Sequence, residues 1–276
     1  MNDDDDPPSS LDEMLGLEPG RPVLLGEGMA PWMASVRSFL DLGRQTLHYS
    51  LRHTLEPHAI ATELYEIGVR SAVFLSVAMG FIGMIFVYQA GLQLRRVIPD
   101  LTQLGPTYLE LLVRDLAPSI CALLLATRVG AGIAAEIGSM VVTEQVDALR
   151  MCAADPVDYL VKPRFLASIA MSVVLTFLAG SVAFGTGMWT AHAFFGLNPR
   201  TFVDTSLIDQ GDVIVCVTKC LAYGAAIPLI SAHSGLATRG GSEGVGTATT
   251  RAVVNSSLAV IVLDFVISAL GYLLFG

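Results

Sequence analysis

Long apolar runs separated by short polar stretches dominate the chain from residue 71 onward. The first run, 71–94, contains no formal charge, and a helix of that length, rising 1.5 Å per residue, crosses a hydrocarbon core of about 30 Å. Four later runs have a similar character. The pattern predicts five membrane-spanning helices, at about residues 71–94, 116–135, 165–196, 213–237 and 252–275.

The most polar stretch between two of these runs extends over residues 128–167, with residues 136–153 at its centre. Apolar residues recur at helical spacing around the acids Glu144 and Asp147, which predicts a short helix too charged to cross a bilayer. It ends before Asp155, because a residue that precedes a proline is driven out of the helical region. Two interpretations remain open, a connector with a solvated face or a docking helix that passes a partner's motion to the flanking spans.

The N-terminal part of the chain has a different character. Residues 1–30 are acidic and rich in Pro, Ser and Gly, and they predict a disordered tail. Residues 31–56 then place Trp32 and several leucines at helical spacing with arginines between them. This pattern is typical of a basic amphipathic helix in the membrane interface, although a helix packed on the protein's own cytoplasmic side has the same pattern.

The amino-acid composition also indicates a membrane protein. Hydrophobic residues make up 53% of the chain and charged residues 15%, with a mean hydropathy of +0.61. These values are typical of a polytopic membrane protein and predict an all-α integral membrane fold. The net charge of -9 arises largely in the N-terminal tail, and no basic surface for nucleic acid is predicted.

Basic residues are unevenly distributed between the two sides. The segment before the first span and the loops 136–164 and 238–251 carry more Lys and Arg than the loops on the opposite side. Because cytoplasmic loops are enriched in these residues, the N-terminus is predicted to be cytoplasmic and the C-terminus external.

The sequence argues against catalysis by this chain. It has no GxxxxGK[ST] motif, and the glycine-rich stretch 240–246 lacks the lysine and preceding strand that a phosphate-binding loop needs. No nucleophile with a partnered base is recognisable, and the four cysteines lie in apolar surroundings without a CxxC pair. We therefore predict no metal or cofactor, and energy for transport would come from another subunit.

Ionisable residues within membrane spans are costly and often functional. Arg114 and Asp115 lie at the outer end of the second predicted span, where a local ion pair is the simpler interpretation. Lys219 lies about two turns into the fourth span, and extension of its ammonium to the interface would also account for it. Asp264 lies in the middle of the fifth span and predicts a structural contact with the 250–255 region.

Four stretches of the chain resemble one family, and the resemblance extends over roughly residues 60–276. They are AEIGSMVVTEQVDALRMCAADPVDYLVKPRFLA, FIGMIFVYQAG, RDLAPSICALLLATRVGAGIAAEIG and GVGTATTRAVVNSSLAVIVLDFVISAL. These stretches resemble the MlaE/YrbE permeases, the membrane subunits of ABC transporters that work with MCE-domain proteins on lipids. The chain has Leu116-Ala117-Pro118 where the family usually has Leu-Gly-Pro, so it departs from the family pattern at Ala117.

The resemblance implies a function and a set of partners. The chain would be the permease subunit that moves phospholipids or related lipids between the bacterial inner membrane and a periplasmic MCE protein. Residues 31–276 would form the permease, and two copies would enclose a central cavity as a homodimer. A separate cytoplasmic ATPase would drive transport, and a small STAS-like subunit is a further candidate partner. The alternatives are an anchor or scaffold for an MCE complex without its own transport path, and a transporter of sterols or fatty acids.

The resemblance also implies two sets of site residues. The lipid-binding set is Phe81, Met84, Tyr88, Leu92, Leu94, Arg114, Asp115 and Lys219, although the apolar members could equally face bulk lipid or the core. The ATPase-coupling set is Glu136, Met140, Thr143, Glu144, Asp147, Arg150 and Asp155.

Overall fold

The computed structural model describes residues 25–52, 57–97, 101–204 and 206–275, and every regular element in these ranges is helical. The chain divides into two compact units, Met1–Asp41 and Leu42–Gly276. Most of the predicted N-terminal tail lies outside the described residues, but a helix begins at Leu25, inside the range predicted to be disordered. The prediction of an all-α protein is confirmed.

The described helices follow one another with short connections. The α-helices are α1 Leu25–Arg52, α2 Pro57–Leu64, α3 Arg70–Val97, α4 Leu104–Leu111, α5 Ala117–Leu125, α6 Ala131–Val142, α7 Gln145–Met151, α8 Lys162–Phe195, α9 Pro199–Phe202, α10 Gln210–Leu236 and α11 Gly241–Phe275. Wider π-helical turns precede α3, α5, α6 and α8 at Tyr65–Val69, Leu112–Leu116, Ala126–Gly130 and Val157–Val161.

Five helical segments in the described part of the chain are long and apolar enough to cross a membrane, as predicted. We number them as spans in chain order: His58–Arg96, Leu104–Val142, Val157–Phe195, Gln210–Leu236 and Gly241–Leu274. All except the fourth begin well before the predicted apolar runs, because further helical turns precede each run.

The predicted continuous helix over residues 136–153 is divided in the structure. Residues 136–142 complete α6, and α7 begins only at Gln145. Between them Glu144 adopts the left-handed conformation with φ 60°, and the Thr143 hydroxyl donates to the Ser139 carbonyl at 2.9 Å. The β-branched residues before Glu144 are weak helix formers, so the break occurs where helix propensity is low.

The third span occupies a central position, because it packs against both the first and the fourth spans. Its contact with the first span depends on glycine: a Cβ atom at Gly83 would overlap the backbone carbonyl of Ala183. Small residues allow helices to approach in lipid, where van der Waals packing drives association. The backbones of the first and third spans thus approach each other closely at Gly83.

Two of the π-helical turns end two positions before a proline. Pro118 would place its ring against the carbonyl of Arg114, and Pro163 against that of Tyr159, if the preceding turn were a regular α-helix. Both of those carbonyls belong to π-helical turns, which are wider. Ala117 has an ordinary helical backbone with φ -64° and ψ -53°, so this position does not require the freedom of glycine.

Candidate functional site

A buried lysine joins three spans. Lys219 of the fourth span has a side chain that is 0% exposed, and its Nζ pairs with Asp264 Oδ1 of the fifth span at 2.8 Å. The same ammonium pairs with Asp115 Oδ1 of the second span. Lys219 therefore does not extend to the interface, because two carboxylates neutralise it within the bundle.

Hydroxyl groups complete this cluster. Ser119 Oγ donates to Asp264 Oδ1 at 2.6 Å and Tyr223 Oη donates to the same atom at 2.7 Å. The expectation that Asp264 contacts the 250–255 region is wrong. Those residues lie on the same helix, more than two turns away, so the partners of Asp264 come from the second and fourth spans instead.

Arg114 and Asp115 do not pair with each other, contrary to the simpler interpretation. Neighbouring residues on a helix point in different directions, and each finds a partner on the fourth span. Arg114 Nη1 lies 3.3 Å from Asp212 Oδ1, whereas Asp115 pairs with Lys219. Asp212 also accepts from the backbone N–H of Asp209 at 3.1 Å, as part of the capping box that begins α10.

The cluster and its neighbouring ion pair contain two cations, Arg114 and Lys219, and three acids, Asp115, Asp212 and Asp264, which gives a formal charge of -1. Asp115 and Asp264 have side chains 39% and 32% exposed, in contrast to Lys219. The cluster therefore presents hydrogen-bond acceptors rather than an ammonium.

The predicted apolar lining is divided between two environments. Phe81, Tyr88 and Leu92 are exposed on one face of the first span, at helical spacing. Met84 is partly buried, and Leu94 packs against the core. The Tyr88 ring meets the Phe194 ring of the third span edge-on, with centroids 5.2 Å apart.

The apolar face and the charged cluster lie on different helices. The first span packs chiefly on the third, whereas the fourth span packs on the second, third and fifth. Among the described residues of one chain, the first and fourth spans do not make extensive contact. Such a contact therefore does not bring Lys219 together with the apolar residues of the first span.

The predicted coupling residues surround the connection between the second and third spans, which we call the 143–155 segment. Thr143, Glu144, Asp147, Arg150 and Asp155 are exposed and Met140 is partly buried. Val146 is buried and anchors α7. Asp147 and Arg150 pair with each other at 3.0 Å on the surface.

Sequence reasoning missed three residues beside this segment. Arg164, treated only as a basic flank, is buried and pairs with both Glu136 and Glu63. The Tyr49 hydroxyl donates to Asp155 Oδ2 at 2.7 Å, and this hydrogen bond raises the pKa of the Tyr49 phenol. An arginine placed two residues into a long apolar helix was the available signal.

A cavity of about 780 Å³ lies beside these contacts. Its lining includes Tyr49, Glu63, Met140, Asp155 and Arg164, which come from α1, α2, α6, the 143–155 segment and α8. The end of the bundle that carries the segment is therefore a junction of several helices around an open volume.

Comparison with known proteins identifies the family. The family model "Permease MlaE" matches residues 60–270. A probable ABC transporter permease protein of Synechocystis sp. is 37% identical over 84% of this chain and 89% of its own length, and one of Rickettsia typhi is 33% identical over 90% and 96%. The chloroplastic protein TRIGALACTOSYLDIACYLGLYCEROL 1 of Arabidopsis thaliana is 32% identical over 75% of this chain and 59% of its own length. The resemblance noted in the sequence is confirmed, and the chain belongs to the MlaE permease family.

Proposed function

We propose that this chain is the membrane subunit of an ABC transporter that moves phospholipids or related lipids between the bacterial inner membrane and a periplasmic MCE protein. The N-terminus would be cytoplasmic and the C-terminus periplasmic. Family membership and relatives named ABC transporter permeases support this proposal. The name of the Arabidopsis relative contains that of a galactolipid, which supports a lipid as the substrate.

The observation that carries the proposal is the exposed 143–155 segment. It connects the second and third spans, and its acids Glu144 and Asp147 face solvent. The chain has no phosphate-binding loop of its own. A separate ATPase would grip this segment in the cytoplasm, and nucleotide binding would shift the spans between two packed arrangements.

The lipid would use the two remaining features of the bundle. Acyl chains would lie on the exposed face formed by Phe81, Tyr88 and Leu92, and a second copy of the chain would close this face into a cavity. The head group would lie near Arg114 and Asp115. Arg114 and Asp115 are both partly exposed whereas Lys219 is buried, so the site offers a head group both a guanidinium and a carboxylate.

The proposal is tested by reversing the charges of the 143–155 segment. The variant E144K/D147K is expected to insert in the membrane in normal amounts but to lose co-purification of the partner ATPase. The matched control is D204K, which changes an exposed acid outside this segment, between the third and fourth spans. Lipids extracted from the intact wild-type complex are identified by mass spectrometry.

Two results would contradict the proposal. Normal co-purification of the ATPase with E144K/D147K would remove the docking role of the segment. A wild-type complex reconstituted in phospholipid vesicles that hydrolyses ATP but moves no labelled phospholipid would favour the scaffold alternative.

A further inference from the structure

Arg164 joins three helices at the end of the bundle that carries the 143–155 segment. It lies near the start of α8, and its side chain is only 5% exposed. Its Nε donates to Glu63 Oε1 of α2 at 3.2 Å, and its Nη2 pairs with Glu136 Oε1 of α6 at 2.7 Å. One guanidinium therefore holds the beginnings of the first and third spans to the end of the second.

The chemistry of this contact makes it directional. Guanidinium is planar and presents its donors in a rigid fork, so each carboxylate meets a fixed edge of the group. The side chains of Glu63 and Glu136 are 22% and 55% exposed and both carry negative charge. Without Arg164 they would repel each other across the gap, and α2 and α6 would lose their link.

One of the donor nitrogens of the Arg164 guanidinium has no partner among the described residues. That nitrogen is Nη1, which is buried. Burying such a donor costs free energy, which favours an arrangement that supplies an acceptor. In the observed arrangement the guanidinium joins α2 and α6 through its Nε and Nη2 donors.

The C-terminal end of the 143–155 segment is held by separate hydrogen bonds at Asp155. Asp155 Oδ2 accepts from the Tyr49 hydroxyl, and Asp155 Oδ1 accepts from the backbone N–H of Val157 at 2.9 Å. Tyr49 of α1 therefore holds the C-terminal end of the segment. Arg164 holds α6, the helix that leads into the segment, through Glu136. Together with the buried Val146, these contacts fix the position of the segment on the bundle.

We propose that Arg164 is a positioning residue that transmits displacement of the 143–155 segment to the first span through Glu63. The route begins in α6, which ends directly before the segment, and crosses Arg164 to α2. From α2 the helix continues through Tyr65–Val69 into α3, which carries Phe81 and its apolar face. This inference rests on the proposed function, because it describes how movement caused by the ATPase would reach the lipid-binding face of the first span.

The test uses the intact complex of this chain with its ATPase and the MCE protein, reconstituted in phospholipid vesicles. The quantity measured is the amount of labelled phospholipid moved per ATP hydrolysed. R164Q, E63Q and E136Q are each expected to lower this ratio by about fivefold or more, because fivefold is the lower end of a typical coupling between two sites. A purely structural defect would instead reduce transport and hydrolysis in parallel and leave the ratio unchanged.

The double variant E63Q/E136Q distinguishes a route in series from two independent contacts. In a series route, either change already breaks the path, so the double variant should be no worse than either single one. The matched control is E66Q, which changes an exposed carboxylate one turn further along the same helix, paired only with Arg70 among the described residues. The ratio should stay at the wild-type value in E66Q.

The outcomes separate this inference from the proposed function. If the wild-type complex couples hydrolysis to transport but the ratio is unchanged in R164Q, E63Q and E136Q, Arg164 is not part of the path. Multiplying losses in the double variant would also overturn the series route. If R164Q does not assemble, the two milder glutamate variants decide the question. A wild-type complex that moves no lipid contradicts the proposed function itself.

Discussion

The Nζ atom of Lys219 lies 2.8 Å from Asp264 Oδ1, so a lysine with no exposed side-chain surface pairs with a carboxylate from the neighbouring span. The second partner of the ammonium, Asp115, comes from a third helix. A charge enclosed in this way is stable only while its partners remain in place, because an unpaired charge in a dry interior costs several kcal/mol. This contact therefore ties the second, fourth and fifth spans together.

Removal of this ammonium should destabilise the bundle. K219M leaves Asp115 and Asp264 without a cation and close to each other, and we expect the free energy of unfolding to fall by about 2 kcal/mol or more. Thermal unfolding of the purified protein in detergent, followed by circular dichroism, measures this loss.

The triple variant K219M/D115N/D264N is the control for this prediction. It removes the two unpaired charges as well, so much of the lost stability should return. If K219M melts at the wild-type temperature, the cluster does not hold the spans together.

Close packing of the first and third spans should depend on Gly83. In G83A the added methyl group overlaps the carbonyl of Ala183, so the helices must separate, at a cost of about 1–3 kcal/mol. The melting temperature in detergent reports the change. The matched control is G185A on the third span, where a Cβ atom meets nothing within 4 Å. Equal melting temperatures for the two variants would contradict the close approach.

The four cysteines should differ in reactivity. Cys152 is exposed in the 143–155 segment, whereas Cys121, Cys216 and Cys220 are buried. A membrane-impermeant maleimide should therefore label one site per chain in inside-out vesicles, where the cytoplasmic face is accessible, and the bound ATPase should slow this labelling. C152S should abolish it. Labelling from the periplasmic face would contradict the proposed orientation.

The contact between Tyr49 and Asp155 should order the end of the 143–155 segment. Y49F removes the hydroxyl, and we expect faster amide hydrogen exchange around Val157, measured by mass spectrometry. The control Y65F changes an exposed tyrosine elsewhere. Because the pKa of Tyr49 is raised, the contact contributes fully below the ordinary pKa of tyrosine and is lost as the pH rises through the raised value. If amide exchange around Val157 is the same in Y49F as in the wild type, the hydrogen bond from Tyr49 does not order the segment.

Much of the architecture was predictable from local pattern. Apolar runs of bilayer length follow from the cost of placing polar side chains in hydrocarbon, and their helical form follows from the cost of unpaired backbone groups there. The number and type of spans can therefore be predicted from the sequence. The position of the 143–155 segment followed from the same pattern. Its division at Glu144 was less predictable, because a single left-handed residue leaves little trace in the periodicity.

The partners of the buried charges were decided only by the tertiary structure. Sequence alone marked Arg114, Asp115, Lys219 and Asp264 as costly residues within spans, but it placed the contacts of Asp264 on its own helix. Pairing across helices depends on the rotation and depth of each span, which packing against neighbours determines. Arg164 illustrates the same point, since its carboxylate partners lie 101 residues away at Glu63 and on another span at Glu136. The sequence by itself determined which segments cross the membrane, and only the folded bundle decided which charges meet.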